Sequence, residues 1–173
     1  IKQGNPNAEI TVLIATGFHR PTTREELISK FGEDMVDHPD IRFVVHESGK
    51  QEDMVSLGRL PSGGELLINK IAWEADLLIS EGFIEPHFFA GFSGGRKSVL
   101  PGVSSRTTVL ANHCSEFIDD SHARTGILEG NPIHRDMIYA AGKAKLAFII
   151  NVVLDEDKKV IEAFAGHYEK AHE

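Results

Sequence analysis

Glu9-Ile10-Thr11-Val12-Leu13-Ile14-Ala15 is β-branched and apolar, the composition of a strand buried on both faces of a parallel sheet. A loop, Thr16-Gly17-Phe18-His19-Arg20-Pro21, follows it. Thr22-Thr23-Arg24-Glu25-Glu26 then opens a helix, because a Thr with a Glu three residues later makes a capping box. The same alternation continues down the chain. Ile41 to His46, Glu65 to Asn69, Asp76 to Ser80 and Leu146 to Val153 read as strands, and Gly58 to Gly64 as a loop. Thr107 to Ile118 has helical spacing, and Asn131-Pro132 starts a second helix running to about Ala144, with Asn as cap and Pro in the first position. Asp155-Glu156-Asp157 turns into Lys159 to Ala163 as a hairpin partner of the Leu146 strand. The expectation is one α/β domain over residues 1–173, a layered fold with a mostly parallel central sheet flanked by helices. In such folds ligands sit at the carboxyl ends of the strands. His19 follows the first strand and His87 follows the Asp76–Ser80 strand, so both fall on that rim.

Composition narrows the function classes. The 173 residues are enough for one buried core. A formal charge of −8 argues against nucleic acid as a partner, since binding a phosphate backbone requires a basic face. No apolar run reaches the ~18 residues of a membrane span, and the N-terminus lacks the apolar core of a signal peptide, so a cytoplasmic protein is expected. Cys114 is the only cysteine, which excludes an internal disulfide and a Cys-built zinc site. The chain opens on Ile1 shortly before a strong strand and closes on Gly166 to Glu173, which reads as a helix with no stop signal. Both ends are expected to lie inside a longer protein.

The chemistry concentrates between Glu85 and Gly102, EPHFFAGFSGGRKSVLPG. Three glycines in five positions before Arg-Lys-Ser suggest backbone amides exposed to an anion. The phosphate-binding pattern G-x-x-x-x-G-K-[ST] fails here, because counting from Gly91 its second glycine falls on Arg96. Read alone, the stretch is either a glycine-rich turn with a solvated basic pair or part of a site. His19 and His113 give the second reading its substance, since each sits in a turn-flanked loop or at a helix boundary, as His87 does. Paired histidines serve as general bases near neutral pH, and a third can hold a metal. A non-catalytic module binding phosphate or metal, and a zinc hydrolase built on His19, His87 and His113, remain alternatives. The other histidines, His38, His46, His122, His134, His167 and His172, have no sequence context that points to function.

Three motifs in order resemble the nickel-dependent lactate racemase family: Gly17–Pro21 as Gly-x-His-Arg-Pro, Pro86–Lys97 as Pro-His-x-x-Ala-Gly-[FY]-Ser-Gly-Gly-x-Lys, and Asn112-His113. The resemblance implies a 2-hydroxyacid racemase or epimerase acting on lactate or a related acid. Its implied cofactor is a nickel-bound pyridinium-3,5-bisthiocarboxylic acid mononucleotide joined to a lysine matching Lys97, with a nickel ligand matching His113. Two bases matching His19 and His87 stand on opposite faces of the substrate, and hydride passes between the substrate Cα and the pyridinium. Proteins that synthesise the cofactor are implied as partners for loading. On this reading Ser93, Gly94, Gly95, Arg96 and Ser98 help bind the cofactor: the glycines let backbone approach it, the serines are donors to its phosphate, and Arg96 is the local cation. An upstream segment carrying a substrate-binding arginine and a C-terminal domain belong to the family's pattern and have no counterpart here. The chain by itself is therefore expected to be inactive.

Overall fold

The computed structural model describes residues 1–173. The α/β class holds, but the strands do not join into one central sheet. β1 (Ile10–Ile14) leads through α1 (Arg24–Phe31) and α2 (Glu33–Val36) to β2 (Ile41–Val45), which pairs with it in parallel from Ile10↔Ile41 to Ile14↔Val45. The pair forms a two-stranded sheet whose residues are half-buried or exposed, so the expected burial on both faces is absent. The helix start is as read. The Thr23 hydroxyl accepts from the Glu26 amide, and the Glu26 carboxylate accepts from the Thr23 amide.

β3 (Met54–Arg59) and β4 (Glu65–Asn69) form an antiparallel hairpin, followed by α3 (Lys70–Glu74). β3 covers Gly58, where the sequence predicts a loop. β5 (Leu78–Phe83) runs three residues beyond its expected end at Ser80. β6 (Pro86–His87) and β7 (Gly91–Phe92) make a two-residue antiparallel pair, and a single 3₁₀ turn covers Gly95–Ser98. The helix expected over Thr107–Ile118 is two, α4 (Arg106–Asn112) and α5 (Ser115–Asp119), broken at His113. α6 (Pro132–Lys143) leads into β8 (Leu146–Leu154), which lies between β5, parallel, and β9 (Val160–Gly166), antiparallel. Residues beyond Gly166 form turns in place of the expected helix. The architecture is thus four small sheets, with parallel pairing confined to β1–β2 and β5–β8. None of the helices is long and apolar enough to cross a membrane.

The core explains how so fragmented a set of sheets holds together. α6 buries Ile133, Met137, Ala140 and Ala141, spaced to make one helical stripe. They pack with Leu66 and Ile68 of β4, Val109 of α4, Leu146 and Ile149 of β8, and Ala90, Val99, Leu100 and Val103 from the glycine-rich stretch. That stretch is therefore core, whereas most loops run over the surface.

Gly102 fixes how it closes. Its N–H donates to Lys97 O (2.9 Å) and its carbonyl accepts from Gly17 N–H (2.9 Å), while a Cβ there would lie 2.2 Å from Ser98 O. The obstacle is backbone, which cannot swing aside. Gly102→Ala is expected to destabilise the chain by about 3 kcal/mol. Gly49→Ala, where a Cβ meets nothing within 4 Å, should stay within about 0.5 kcal/mol of the parent in the same denaturant titration.

Candidate active site

Phe89 is the hub of the site. Its buried ring makes an edge contact with His87 (centroids 4.6 Å apart) and another with His113 (5.0 Å), and the Lys97 ammonium lies 6.0 Å from its centroid. The cap of α6 holds Phe89 in place: the Asn131 side chain accepts from the Ile133 and His134 amides and donates to Phe89 O at 2.9 Å. Sequence identifies Asn131 as a cap; its second role depends on a contact 42 positions away.

His113 closes α4, its N–H donating to Val109 O at 2.8 Å. Its Nδ1 is buried and has no hydrogen-bond partner. A buried nitrogen without a partner is costly unless something absent from the protein binds it. His87 uses its Nδ1 to accept from the Ala90 N–H (3.2 Å), so the neutral ring carries its proton on Nε2. Phe88, exposed, stacks on His87 at 4.8 Å.

Charge follows from this packing. Burial, with the Lys97 and Arg96 cations adding to it, pushes His87 down to about 4. Burial and then Lys97 and His87 push His113 to about 4 as well. Burial, reinforced by Arg96 and opposed by Glu85, pulls the Lys97 ammonium down to about 8. Near neutral pH the face therefore holds two uncharged imidazoles and a lysine with a ready amine fraction, the state a nucleophilic lysine requires.

His19 stands apart from this cluster. It is exposed and lines a different cavity, of about 430 Å³, with Arg20, Glu26, Lys30 and Phe31 among its walls. What joins its turn to the cluster is backbone: Gly17 N–H to Gly102 O, then Gly102 N–H to Lys97 O. Arg106, at the start of the helix that ends on His113, lies over the Phe18 ring at 4.9 Å. The structure thus gathers His87, Lys97 and His113 directly, and His19 only through its loop. His19, His87 and His113 do not form a three-ligand cluster of the kind a zinc hydrolase needs.

Several residues in the glycine-rich loop differ from their expected role. Arg96 is fully buried, and its guanidinium binds the loop's own carbonyls and two histidines, so it is not a cation free for a ligand. This also excludes the solvated basic pair. The Ser93 hydroxyl donates to Phe83 O and accepts from the Glu85 amide, and the Ser98 hydroxyl donates to Gly95 O, so both have local turn roles. Gly94 and Gly95 have positive φ (73° and 52°), and a Cβ on either would strike Ile84 and Phe83 O or the His172 ring. Their requirement for glycine comes from the protein's own packing.

The sequence does not single out Asn151, and it gives His46 no context that points to function. Buried Asn151 accepts from the Gly95 N–H (3.0 Å), and buried His46 bridges Asn69 and Ser104 O. Nothing short-range could have flagged them.

Four histidines, His87, His113, His134 and His172, have values pushed down to about 4 from an ordinary 6.5, in each case first by burial. The folded chain then binds fewer protons than the unfolded chain between pH 6.5 and 4. Their stabilising neutral state is fully present above 6.5 and is lost as pH falls toward 4. Calorimetry should show the unfolding midpoint dropping by roughly 10 °C from pH 7 to pH 4.5. A flat midpoint over that window would contradict the burial of these rings.

Fold and site together define an α/β domain with a lysine–imidazole face at the carboxyl end of its β5 strand. The family model of the lactate racemase N-terminal domain matches residues 1–126, and the chain belongs to that family. It is 64% identical to a lactate racemase of Thermoanaerobacterium thermosaccharolyticum over 99% of its own length and 40% of that relative's. It is 65% identical to a lactate racemase of Lactiplantibacillus plantarum over 96% of its length and 39% of that relative's. The solved lactate racemase apoprotein from T. thermosaccharolyticum superposes with a TM-score of 0.96 at 64% identity, over 99% of this chain and 40% of that one. A Thermotoga maritima protein of 26% identity superposes at 0.80, over 95% of this chain and 44% of that one. The chain spans about two-fifths of the length of the curated relatives it matches.

Proposed function

We propose that this chain is the part of a lactate-type 2-hydroxyacid racemase that carries the cofactor lysine, the metal-binding histidine and the proton-handling histidines. The observation that carries the proposal is the grouping of a low-basicity Lys97 amine with the unpartnered Nδ1 side of His113 around Phe89. That donor set suits a group attached through an amide-type bond at Lys97 and held by a metal at His113: one nucleophilic amine, one neutral imidazole, and no carboxylate competing for the metal. When bound, a nickel-pincer pyridinium mononucleotide supplies a hydride acceptor and a Lewis-acidic metal.

The remaining chemistry is done by this chain's own side chains. Lys97 anchors by its Nζ, and losing its charge there relieves the cation that depresses His87 and His113. His87 presents Nε2 to the substrate side. For that nitrogen to take a hydroxyl proton, the ring must shift its own proton to Nδ1 and give up the Ala90 contact. His19 serves the opposite enantiomer from its exposed turn. Mirror-image substrates require proton handling on both faces, which one fixed base cannot provide.

The test is to produce a full-length protein containing this chain together with the cofactor-synthesis proteins, and to measure intact mass and metal content. The expected result is an added mass localised to Lys97 with nickel near one equivalent. Unmodified Lys97 in protein that still racemises lactate would overturn the reading.

A further inference from the structure

Arg96 is a fully buried charged group with no acidic partner among the ion pairs. Its guanidinium is wrapped by its own loop. Nη2 donates to Ala90 O (2.7 Å), and Nη1 to Phe92 O (2.8 Å), with longer contacts to Ser93 O (3.3 Å) and Gly94 O (3.4 Å). Two side chains from outside the loop complete the shell. Nε donates to His134 Nδ1 (3.1 Å), and Nη1 lies 2.6 Å from His172 Nε2.

A guanidinium has donors only, so both of these imidazole nitrogens must be bare acceptors. His134 then carries its proton on Nε2 and His172 on Nδ1. His172 Nε2 also lies 2.8 Å from Ser93 O. It cannot donate there while accepting from Arg96, and the closer, obligate donor decides the tautomer. The buried His172 Nδ1 has no other partner, so this arrangement leaves an unsatisfied N–H. Filling the volume would not need such a group, since apolar side chains often replace buried ionic ones without loss of stability.

We infer that His134 and His172 are positioning residues for Lys97: with Arg96 they clamp the Gly94–Ser98 turn and aim the adjacent lysine at the His87–Phe89–His113 face. The inference rests on reading Lys97 as the working lysine. Lys97 has few supports of its own. Its N–H donates to Gly94 O (3.1 Å), a carbonyl the guanidinium also reaches, and its carbonyl accepts from Gly102. The clamp arrives from two directions, the first turn of α6 and the C-terminal segment, 38 and 76 positions from Arg96. The His172 ring also packs 2.8 Å from where a Gly95 Cβ would stand, against the start of the turn.

Two measurements on the 173-residue chain test this. Nitrogen-15 histidine NMR of the unaltered protein should show His134 protonated on Nε2 and His172 on Nδ1; the reverse tautomer at either ring overturns the clamp without any variant having to fold. Competitive acetylation across pH, read by peptide mass spectrometry with exposed Lys30 as internal reference, reports the Lys97 amine. Its midpoint near 8 should rise toward the ordinary lysine range by about one pH unit, a tenfold change in reactivity at fixed pH, in His134→Leu and His172→Leu. His134→Asn and His172→Gln, which restore an acceptor at Nδ1 and Nε2 respectively, should return it to the parental value. Unchanged Lys97 reactivity in folded leucine variants overturns the inference. The two readings separate cleanly: a responsive Lys97 that never gains cofactor mass supports the clamp and sinks the cofactor assignment, whereas a loaded but unresponsive Lys97 does the reverse.

Discussion

His87→Ala, introduced into a full-length, cofactor-loaded protein containing this chain, is expected to lower lactate racemisation by at least about a thousandfold, within the range a positioned acid–base group supplies. His19→Ala should do the same, although the two side chains have very different surroundings. His87 is half-buried against Phe88 and Phe89 with a strongly lowered pKa, whereas His19 is exposed on a turn. The double requirement comes from the substrate. On the proposed function each enantiomer presents its hydroxyl to a different base, and full interconversion uses both. Half-reactions should therefore survive selectively. Mixed with pure D- or L-lactate, each variant should still form keto acid from the enantiomer whose base remains, and the two variants should prefer opposite enantiomers. Racemisation by His87→Ala at the parental rate would return His87 to a packing role beside Phe89.

Lys97→Ala should lose covalent cofactor and every half-reaction together, because on the proposed function the amine is the point of attachment, and no second lysine lies over the Phe89 ring. Lys97→Arg makes the comparison sharper. It keeps a cation over Phe89 but cannot form the amide-type bond, so loss of loading in both variants assigns the role to the nucleophile, and loading of Lys97→Arg would refute it. The neighbours offer a readout independent of turnover. Lys97 is the second-largest influence holding His87 and His113 near 4, so Lys97→Ala should raise both imidazole midpoints in an NMR titration while Lys97→Arg leaves them low.

Local signals in the sequence were accurate. The Thr23 capping box, the Asn131-Pro132 helix start and the Glu65–Asn69 strand stand where residue chemistry placed them. Pairing was not legible. The apolar run in β1 fits a central parallel strand, but what decides its burial is which strands join it, and only β2 does. β3 was hidden because Gly58 near its end reads as a turn. α4 and α5 share one apolar spacing, and the break that exposes His113 to the site leaves no mark in it. The motifs single out His87, Lys97 and His113, which the fold gathers around Phe89, His113 from the end of α4. Arg96 departs from its reading because an arginine beside a lysine in a glycine-rich loop looks solvated, whereas the carbonyls of its own loop fold around it and His134 and His172, far along the chain, complete the shell.

The two histidines proposed as bases have surroundings with unequal freedom to vary, His87 just before a buried segment and His19 on an exposed turn. The segment from Ala90 to Val103 is threaded through the core, wrapped around one guanidinium and closed by a glycine that tolerates no side chain. Almost any inherited change there disturbs folding first. His19 lies among the exposed residues Phe18 to Pro21, joined to that segment through the Gly17–Gly102 hydrogen bond. If the proposed function holds, drift in substrate choice among descendants of this chain would accumulate on the His19 side, leaving the lysine side nearly unchanged.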